Sequence, residues 1–324
     1  MAETACRNER QRHNLPPACR AKVSLPIGIA RYLGVGLLFV VAFTGCRGLA
    51  TRGPKATQAI AAREQGQLGL QFLQRGKLDE AEVRFAHAIE NCPEDVRLRH
   101  DLAVVRREQG RMEEAIVEMQ RAVGQSGGEP AWLAELATMQ LSHGDLDGAR
   151  QSADKAIERQ PSLASAWQVR GDVFNKSGRH EDALRDYHRA LSEGGDSPEL
   201  LMQVADTYRM LGRPRRALST LQRMASNFAP EDHPPQLPFA RALAYQALDR
   251  HDEALPHFLI AQEQQGSQPL LLTQMAISQW QVGSRDAARA SLTLASQIEP
   301  QNPRIIALLT EWQPTATARV AATE

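Results

Sequence analysis

Small and apolar positions recur with a helical spacing along most of this chain, and the whole pattern repeats every 34 residues. The clearest marker is a glycine that follows one amphipathic segment and precedes the next. After a three-residue insertion, the same spacing separates an aspartate from a further glycine. The seven marker positions are Gly76, Gly110, Gly144, Gly178, Gly212, Asp249 and Gly283. A fixed period of this length predicts a repeat protein in which each copy packs on its neighbours.

Each copy predicts two helices joined by a tight turn, with three small residues in register. In the first helix this position holds Gly69, Ala103, Ala137, Gly171, Ala205, Ala242 and Ala276. The second helix has two such positions. One holds Ala81, Ala115, Ala149, Ala183, Ala217, Ala254 and Ala288, and the other holds Ala88, Ala122, Ala156, Ala190, Met224, Ala261 and Ala295. Small residues at these positions allow two helices to approach to about 8–10 Å.

This pattern resembles the tetratricopeptide-repeat (TPR) family. The fourth copy carries the motif best, with Trp167, Gly171, Phe174, Ala183, Tyr187 and Ala190. The resemblance implies an all-α fold, a right-handed α-solenoid of seven helical hairpins. It also implies a concave trough, lined by the first helices, that grips an extended peptide or a helix of another protein.

The predicted organisation has five parts. Residues 1–45 are a signal sequence, and residues 46–61 a flexible tether. The seven repeats occupy residues 62–302, with limits at 62–95, 96–129, 130–163, 164–197, 198–234, 235–268 and 269–302. A capping helix covers residues 303–313, and residues 314–324 form a disordered tail.

The sixth copy is the weakest of the seven. Its entrance contains Pro230, Pro234, Pro235 and Pro238, and Pro256 falls inside its second helix. Because an interior proline removes a backbone hydrogen bond and clashes with the preceding turn, we expect a break or kink between residues 228 and 260.

The leader predicts export. Residues 1–45 contain six basic and two acidic side chains, and an uncharged apolar run of 13 residues covers positions 32–44. That run is short for a membrane-spanning helix, which needs about 20 residues, and is typical of a secretory signal. The following Phe43-Thr44-Gly45-Cys46 resembles the bacterial lipobox, with Phe43 where leucine is usual. The resemblance implies lipidation of Cys46.

The predicted location is the bacterial cell envelope, with the solenoid outside the cytoplasm and held by the lipid. Arg47 follows Cys46, and the absence of aspartate there favours the outer membrane. One alternative is a chance cysteine after a short anchor that is never cleaved. Translation could also start later, near Val23, which would give a leader of ordinary length.

Composition and motifs exclude several classes of function. The formal net charge is +0, and nucleic-acid binding would call for a basic face. No phosphate-binding loop, nucleophile elbow or His-Glu-x-x-His zinc helix is present, and the nine histidines are scattered. Carboxylates at the starts of second helices fit the helix dipole rather than acid–base catalysis. We therefore expect no enzyme activity, cofactor or metal.

The candidate binding residues come from helical spacing along the first helices. They are Arg63, Arg97, His100 and Arg107 at the N-terminal end, Gln168, Asp172, Asn175 and Lys176 midway, then Met202, Asp206, Arg209 and Met210, and finally Phe239, Leu243, Leu270, Ile277 and Trp280. This set predicts a trough that is basic at one end and apolar at the other, for a partner with acidic and hydrophobic parts. Alternatively, Phe239 and Leu270 pack on neighbouring helices and the arginines are solvated surface.

The sequence thus predicts a membrane-tethered adaptor that binds a partner protein in its trough. Two other functions stay open at this stage. The module could associate with copies of itself, or the chain could be an anchored repeat protein without lipid.

Overall fold

The computed structural model describes residues 54–312, which form fifteen α-helices and one 3-10 helix (Pro230–Asp232). The signal sequence, Cys46 and the tail from 314 lie outside the described residues. The helices are α1 (Pro54–Gln74), α2 (Leu78–Asn91), α3 (Val96–Glu108), α4 (Met112–Gln125), α5 (Pro130–His143), α6 (Leu146–Arg159), α7 (Ala164–Lys176), α8 (His180–Gly194), α9 (Pro198–Met210), α10 (Pro214–Asn227), α11 (Leu237–Gln246), α12 (His251–Gln265), α13 (Pro269–Gln281), α14 (Arg285–Ile298) and α15 (Pro303–Glu311).

The helices pair as seven consecutive hairpins, α1 with α2 through α13 with α14, and each hairpin packs on the next. The predicted all-α solenoid is confirmed. First helices of successive hairpins also touch one another, α1 with α3, α5 with α7, α9 with α11 and α11 with α13. Successive second helices make no comparable contact within residues 54–312. The odd-numbered helices α1 to α13 therefore lie side by side along one surface, the first-helix face.

A residue in the left-handed conformation ends each first helix. Gly144 has φ of 92° and forms the C-cap of α5, a conformation that glycine adopts without a Cβ clash. In the sixth hairpin the marker is Asp249, the one non-glycine residue of positive φ (56°) in the described chain. Aspartate is among the few residues that tolerate this region, so the turn is kept although the glycine is not.

The small positions lie at the helix crossings, as predicted. Their eighteen alanines and Met224 are each 2% exposed or less, and Gly69 and Gly171 are buried. A Cβ added at Gly69 would meet the Phe85 ring at 2.9 Å, and one at Gly171 would meet the Tyr187 ring at 2.6 Å. In these two hairpins an aromatic ring of the second helix therefore occupies the space that an alanine methyl needs.

In five of the seven hairpins, a second contact joins the two helices through residues twelve positions apart, and its chemistry varies between copies. The pairs are a cation–π contact of Phe72 and Arg84 (5.9 Å), an ion pair of Arg106 and Glu118 (3.4 Å), a hydrogen bond from Ser152 to Gln140 (2.7 Å), stacked rings of Tyr245 and His257 (5.4 Å), and a hydrogen bond from Ser291 to Gln279 (2.9 Å). The ion pair and the two hydrogen bonds satisfy their polar groups inside the hairpin.

Two expectations need correction. Residues 54–61, predicted as tether, belong to α1, because Pro54 supplies the fixed φ that suits a first helical position and no breaker follows before Gly66. In the sixth copy α10 ends at Asn227 and α11 begins only at Leu237, so the predicted break is present there. However, α12 runs unbroken across Pro256. Because Pro256 is exposed, water can donate to the carbonyl that loses its partner.

The predicted capping helix is present as α15. It packs on α14 and buries Ile305. The Trp312 ring stacks on Trp280 with ring centres 4.3 Å apart, and Arg289 donates to the Trp312 carbonyl at 3.0 Å. The apolar side of the last hairpin is therefore covered at this end.

The Gly171 crossing yields a test of the packing. We expect Gly171→Ala to lower the free energy of unfolding by about 1–3 kcal/mol, because the new methyl overlaps the buried Tyr187 ring. Gly124 lies in α4 with nothing within 4 Å of an added Cβ, and Gly124→Ala should stabilise by about 0.5–1 kcal/mol. Urea unfolding followed by circular dichroism measures both. Equal stability of the two variants would contradict this account of the crossing.

Candidate partner-binding surface

The N-terminal group of predicted binding residues is only partly free. Arg63 and Arg97 are exposed, and neither has an acidic partner among residues 54–312. Arg107 pairs with the adjacent Glu108 at 2.9 Å. Two of the four predicted residues therefore offer an uncompensated positive charge to a partner.

His100 is held inside the solenoid. Its Nε2 lies 2.7 Å from Glu135 of α5 and its Nδ1 lies 3.1 Å from Asp101, while its ring stacks on Trp132 at 5.0 Å. These hydrogen bonds, to Asp101 and then to Glu135, raise the pKa of His100 to about 9. The same contact with His100 lowers the pKa of Glu135. His100 thus joins α3 to α5 instead of facing a ligand.

In the middle group, two residues connect neighbouring first helices. The Gln168 amide donates to the side-chain oxygen of Gln203 at 3.1 Å, which links α7 to α9. The Lys176 ammonium lies 3.4 Å from the Leu141 carbonyl, which links α7 to α5. Both side chains hold adjacent hairpins together.

The other two middle residues bond within their own hairpin. Asp172 accepts a hydrogen bond of 2.7 Å from the Tyr187 hydroxyl, and burial raises the pKa of Asp172. Asn175 bonds His180 at 2.7 Å. The middle of the first-helix face therefore has most of its polar groups satisfied internally.

Most of the remaining predicted residues meet around a cavity of about 250 Å³ between α9, α11 and α13. Six of them line it, namely Met202, Asp206, Arg209, Phe239, Leu243 and Leu270. Ala217 and Leu221 of α10 complete it from the second helix of the fifth hairpin. Because its walls come from three successive first helices, this cavity, the α9–α13 pocket, opens on the first-helix face.

The pocket is mainly apolar, with one ion pair in its wall. Arg209 donates to Asp206 at 2.7 Å and to the Met210 sulfur at 3.4 Å. The Phe239 ring packs on Phe258 at 6.0 Å between ring centres, so its position is fixed by the core. Leu270, in contrast, is 58% exposed, which leaves an apolar side chain at the edge of the pocket accessible to solvent.

Trp280 and Ile277 lie beyond the pocket. The Trp312 ring stacks on the Trp280 ring, and the Arg285 guanidinium carbon lies 4.0 Å from the centre of the Trp280 ring. Ile277 packs against the C-terminal core cluster. Of the predicted apolar end, Phe239, Leu243 and Leu270 line the pocket, while Trp280 packs against the Trp312 ring that follows the capping helix.

Sequence reasoning missed several residues around the pocket. Gln236 and Ala240 line it, and Glu199, Glu231 and Asp232 line an adjoining cleft. The insertion and its prolines mark where Glu231, Asp232 and Gln236 lie. Helical spacing could not place these three side chains, because they lie outside regular α-helix.

Between residues 54 and 312, no three or more His, Cys, Asp or Glu side chains are grouped closely enough to hold a metal ion. No helix in that range has the length and apolar character needed to cross a membrane.

Comparison with known proteins supports the repeat assignment. Two family models described as tetratricopeptide repeat match residues 108–295 and residues 58–130. Cellulose synthase operon protein C of Xanthomonas axonopodis pv. citri (strain 306) is 30% identical over 173 residues, which cover 49% of this chain and 12% of that protein.

Solved structures share the fold at low sequence identity. A tetratricopeptide repeat protein from Parabacteroides merdae is 17% identical with a TM-score of 0.60, covering 78% of this chain and 99% of that one. PilW, described as a type IV pilus biogenesis factor, is 15% identical with a TM-score of 0.57, covering 62% and 92%. YrrB, described as having an unusual peptide-binding site, is 22% identical with a TM-score of 0.50, covering 59% and 96%. At these identities the likeness concerns the fold alone.

The His100 contacts predict a pH dependence of stability. An imidazole whose pKa is about 6.5 unfolded and about 9 folded stabilises fully below pH 6.5, and this contribution is lost as pH rises through 9. We expect His100→Gln to be less stable than the natural chain at pH 6, and the difference to narrow by about 1–2 kcal/mol at pH 9.5, after allowance for solvent screening. Urea unfolding at several pH values measures it.

Glu135→Gln is the matched variant, since it removes the negative charge beside His100 and keeps the imidazole ring. The stability difference between Glu135→Gln and the natural chain should also become smaller from pH 6 to pH 9.5, by less than for His100→Gln. A stability difference between His100→Gln and the natural chain that is constant from pH 6 to 9.5 would show that His100 is not charged in the folded protein.

Proposed function

The chain belongs to the tetratricopeptide-repeat family, and from that premise we propose that it is a non-enzymatic adaptor, tethered in the bacterial cell envelope, that binds a partner protein through its first-helix face. Proteins of this family generally act as protein-interaction scaffolds. Seven hairpins and a cap account for the whole described range.

The observation that carries the proposal is the α9–α13 pocket. It is a concave, largely apolar site built by three successive hairpins, which is the kind of site that holds a side chain of a bound helix or extended segment. We take the first-helix face to be the concave trough, because first helices of successive hairpins pack on one another more closely than successive second helices do. Exposed Arg63 and Arg97 would meet an acidic part of the partner at the other end.

Tethering is proposed from the leader. The basic start, the apolar run and Cys46 together have the order of a lipoprotein signal. We propose that the mature chain starts at a lipidated Cys46 and that the solenoid lies outside the cytoplasm, with the outer membrane favoured.

Self-association is the second candidate function. Five large apolar side chains are exposed on α12, α14 and α15, and they suit an interface between copies. They are Leu259 (52% exposed), Ile260 (41%), Leu294 (37%), Ile298 (47%) and Ile306 (47%).

Cross-linking in cells distinguishes the two functions. We expect a photoreactive residue at Met202, Leu243 or Leu270 to form a discrete adduct with another protein. The same residue at exposed Gln120 or Arg150, on second helices α4 and α6, should not. Equal labelling at all five sites would argue against the adaptor, and an adduct of twice the chain mass would favour self-association.

The N-terminus tests the tether. Mass spectrometry of the chain extracted from membranes with detergent should find a lipid-modified peptide that begins at Cys46, and Cys46→Ser should abolish the modification. An intact leader without lipid would refute the tether and the envelope location, and it would leave the repeat fold as it is.

A further inference from the structure

The three-residue insertion between Gly212 and Asp249 changes one wall of the first-helix face. The first helices on either side, α9 and α13, have 13 residues each, whereas α11 has 10. The residues before α11 form the 3-10 helix Pro230–Asp232 and an irregular segment to Gln236. Pro230, Pro234 and Pro235 restrict the backbone of this segment, so its shape costs little conformational entropy to keep.

The shape of the α9–α13 pocket limits what can enter it. Its volume of about 250 Å³ is smaller than pockets for whole small-molecule ligands, which start at about 300 Å³. Its apolar residues come from three helices, with Met202, Phe239 and Leu270 among them. A pocket of this size and lining suits one bulky apolar side chain of a longer ligand.

The adjoining cleft has a different character. It measures about 570 Å³ and shares Met202 and Gln236 with the pocket, so the two adjoin. Glu199, Glu231 and Asp232 line it, and none of these three carboxylates pairs with a lysine or arginine in the described residues. Asp206 of the pocket is neutralised by Arg209, whereas the cleft keeps its negative charge.

We propose that the pocket and the cleft together bind a partner segment in which a bulky apolar side chain is adjacent to lysine or arginine. The apolar side chain enters the pocket against Leu270, and the cation lies among the three unpaired carboxylates. The negative charge of the cleft is opposite to the positive charge of Arg63 and Arg97 at the other end of the first-helix face. The two charges therefore also set the orientation of a bound partner segment along that face. This inference rests on the proposed function and adds to it the chemistry of the bound segment.

The test uses the full chain in detergent and a phage-displayed library of random 12-residue peptides. We expect the enriched peptides to contain a large apolar residue within a few positions of lysine or arginine. The double variant Glu231→Lys, Asp232→Lys should lower the affinity of a synthetic enriched peptide by about tenfold or more. The affinity for the natural chain should also fall as salt is raised.

A matched control variant reverses the charge of two carboxylates that lie outside the pocket and the cleft. Glu94 and Glu158 are exposed and have no basic partner in the described chain, so Glu94→Lys, Glu158→Lys should leave the affinity within about twofold. Leu270→Asp, at an exposed position that folding does not need, should abolish binding. Circular dichroism of each variant checks that the helices are intact.

The outcomes separate the inference from the proposed function. The inference would be overturned, and the proposed function kept, if the enriched peptides need Leu270 for binding but are acidic. The same holds if their affinity does not change in the Glu231→Lys, Asp232→Lys variant. If every enriched peptide binds the Leu270→Asp variant as tightly as the natural chain, both the inference and the proposed function are contradicted. If the natural chain is a dimer that Leu270→Asp converts to monomer, the pocket is occupied by a second copy and the inference is wrong.

Discussion

Close approach of the two helices in every hairpin is the constraint on which the rest of this structure depends. It requires a residue no larger than alanine at nearly every crossing, and glycine where Phe85 or Tyr187 reaches across. A helix pair held this close buries its apolar stripe with few large side chains, which is why a chain with 5% aromatic residues still forms a series of buried core clusters along the stack. The seven crossings set the position of every first helix, and so the shape of the first-helix face.

Polar residues serve this packing before they serve a ligand. His100, Gln168 and Lys176 each connect one first helix to the next. A solenoid has contacts only between neighbours, so such links decide how adjacent hairpins are oriented. Two parts of the first-helix face are left without such links, namely the apolar α9–α13 pocket and the exposed arginines Arg63 and Arg97 near the other end.

The irregular copy is where the binding surface is most distinctive. In the other copies the turn and both helices follow the repeat, and their surfaces differ only by substitution. Before α11 the inserted residues and prolines replace helix with a fixed irregular segment, which brings Glu231 and Asp232 beside an apolar pocket. A departure from the period thus gives this solenoid a site that none of the regular hairpins has among the described residues.

The sequence by itself determined the fold, because the period of 34 and the small residues in register express a packing rule that acts within and between neighbouring hairpins. It also located the break before α11, the cap and the apolar end of the first-helix face, through Phe239, Leu243 and Leu270. Only the tertiary structure decided which candidate side chains are left exposed and which are held by other parts of the chain. Helical spacing assigns Trp280 and His100 to first helices. However, Trp312 covers the Trp280 ring and Glu135 binds the His100 ring, and both partners are distant in sequence. Whether a side chain is free depends on such partners, and a local pattern does not contain them.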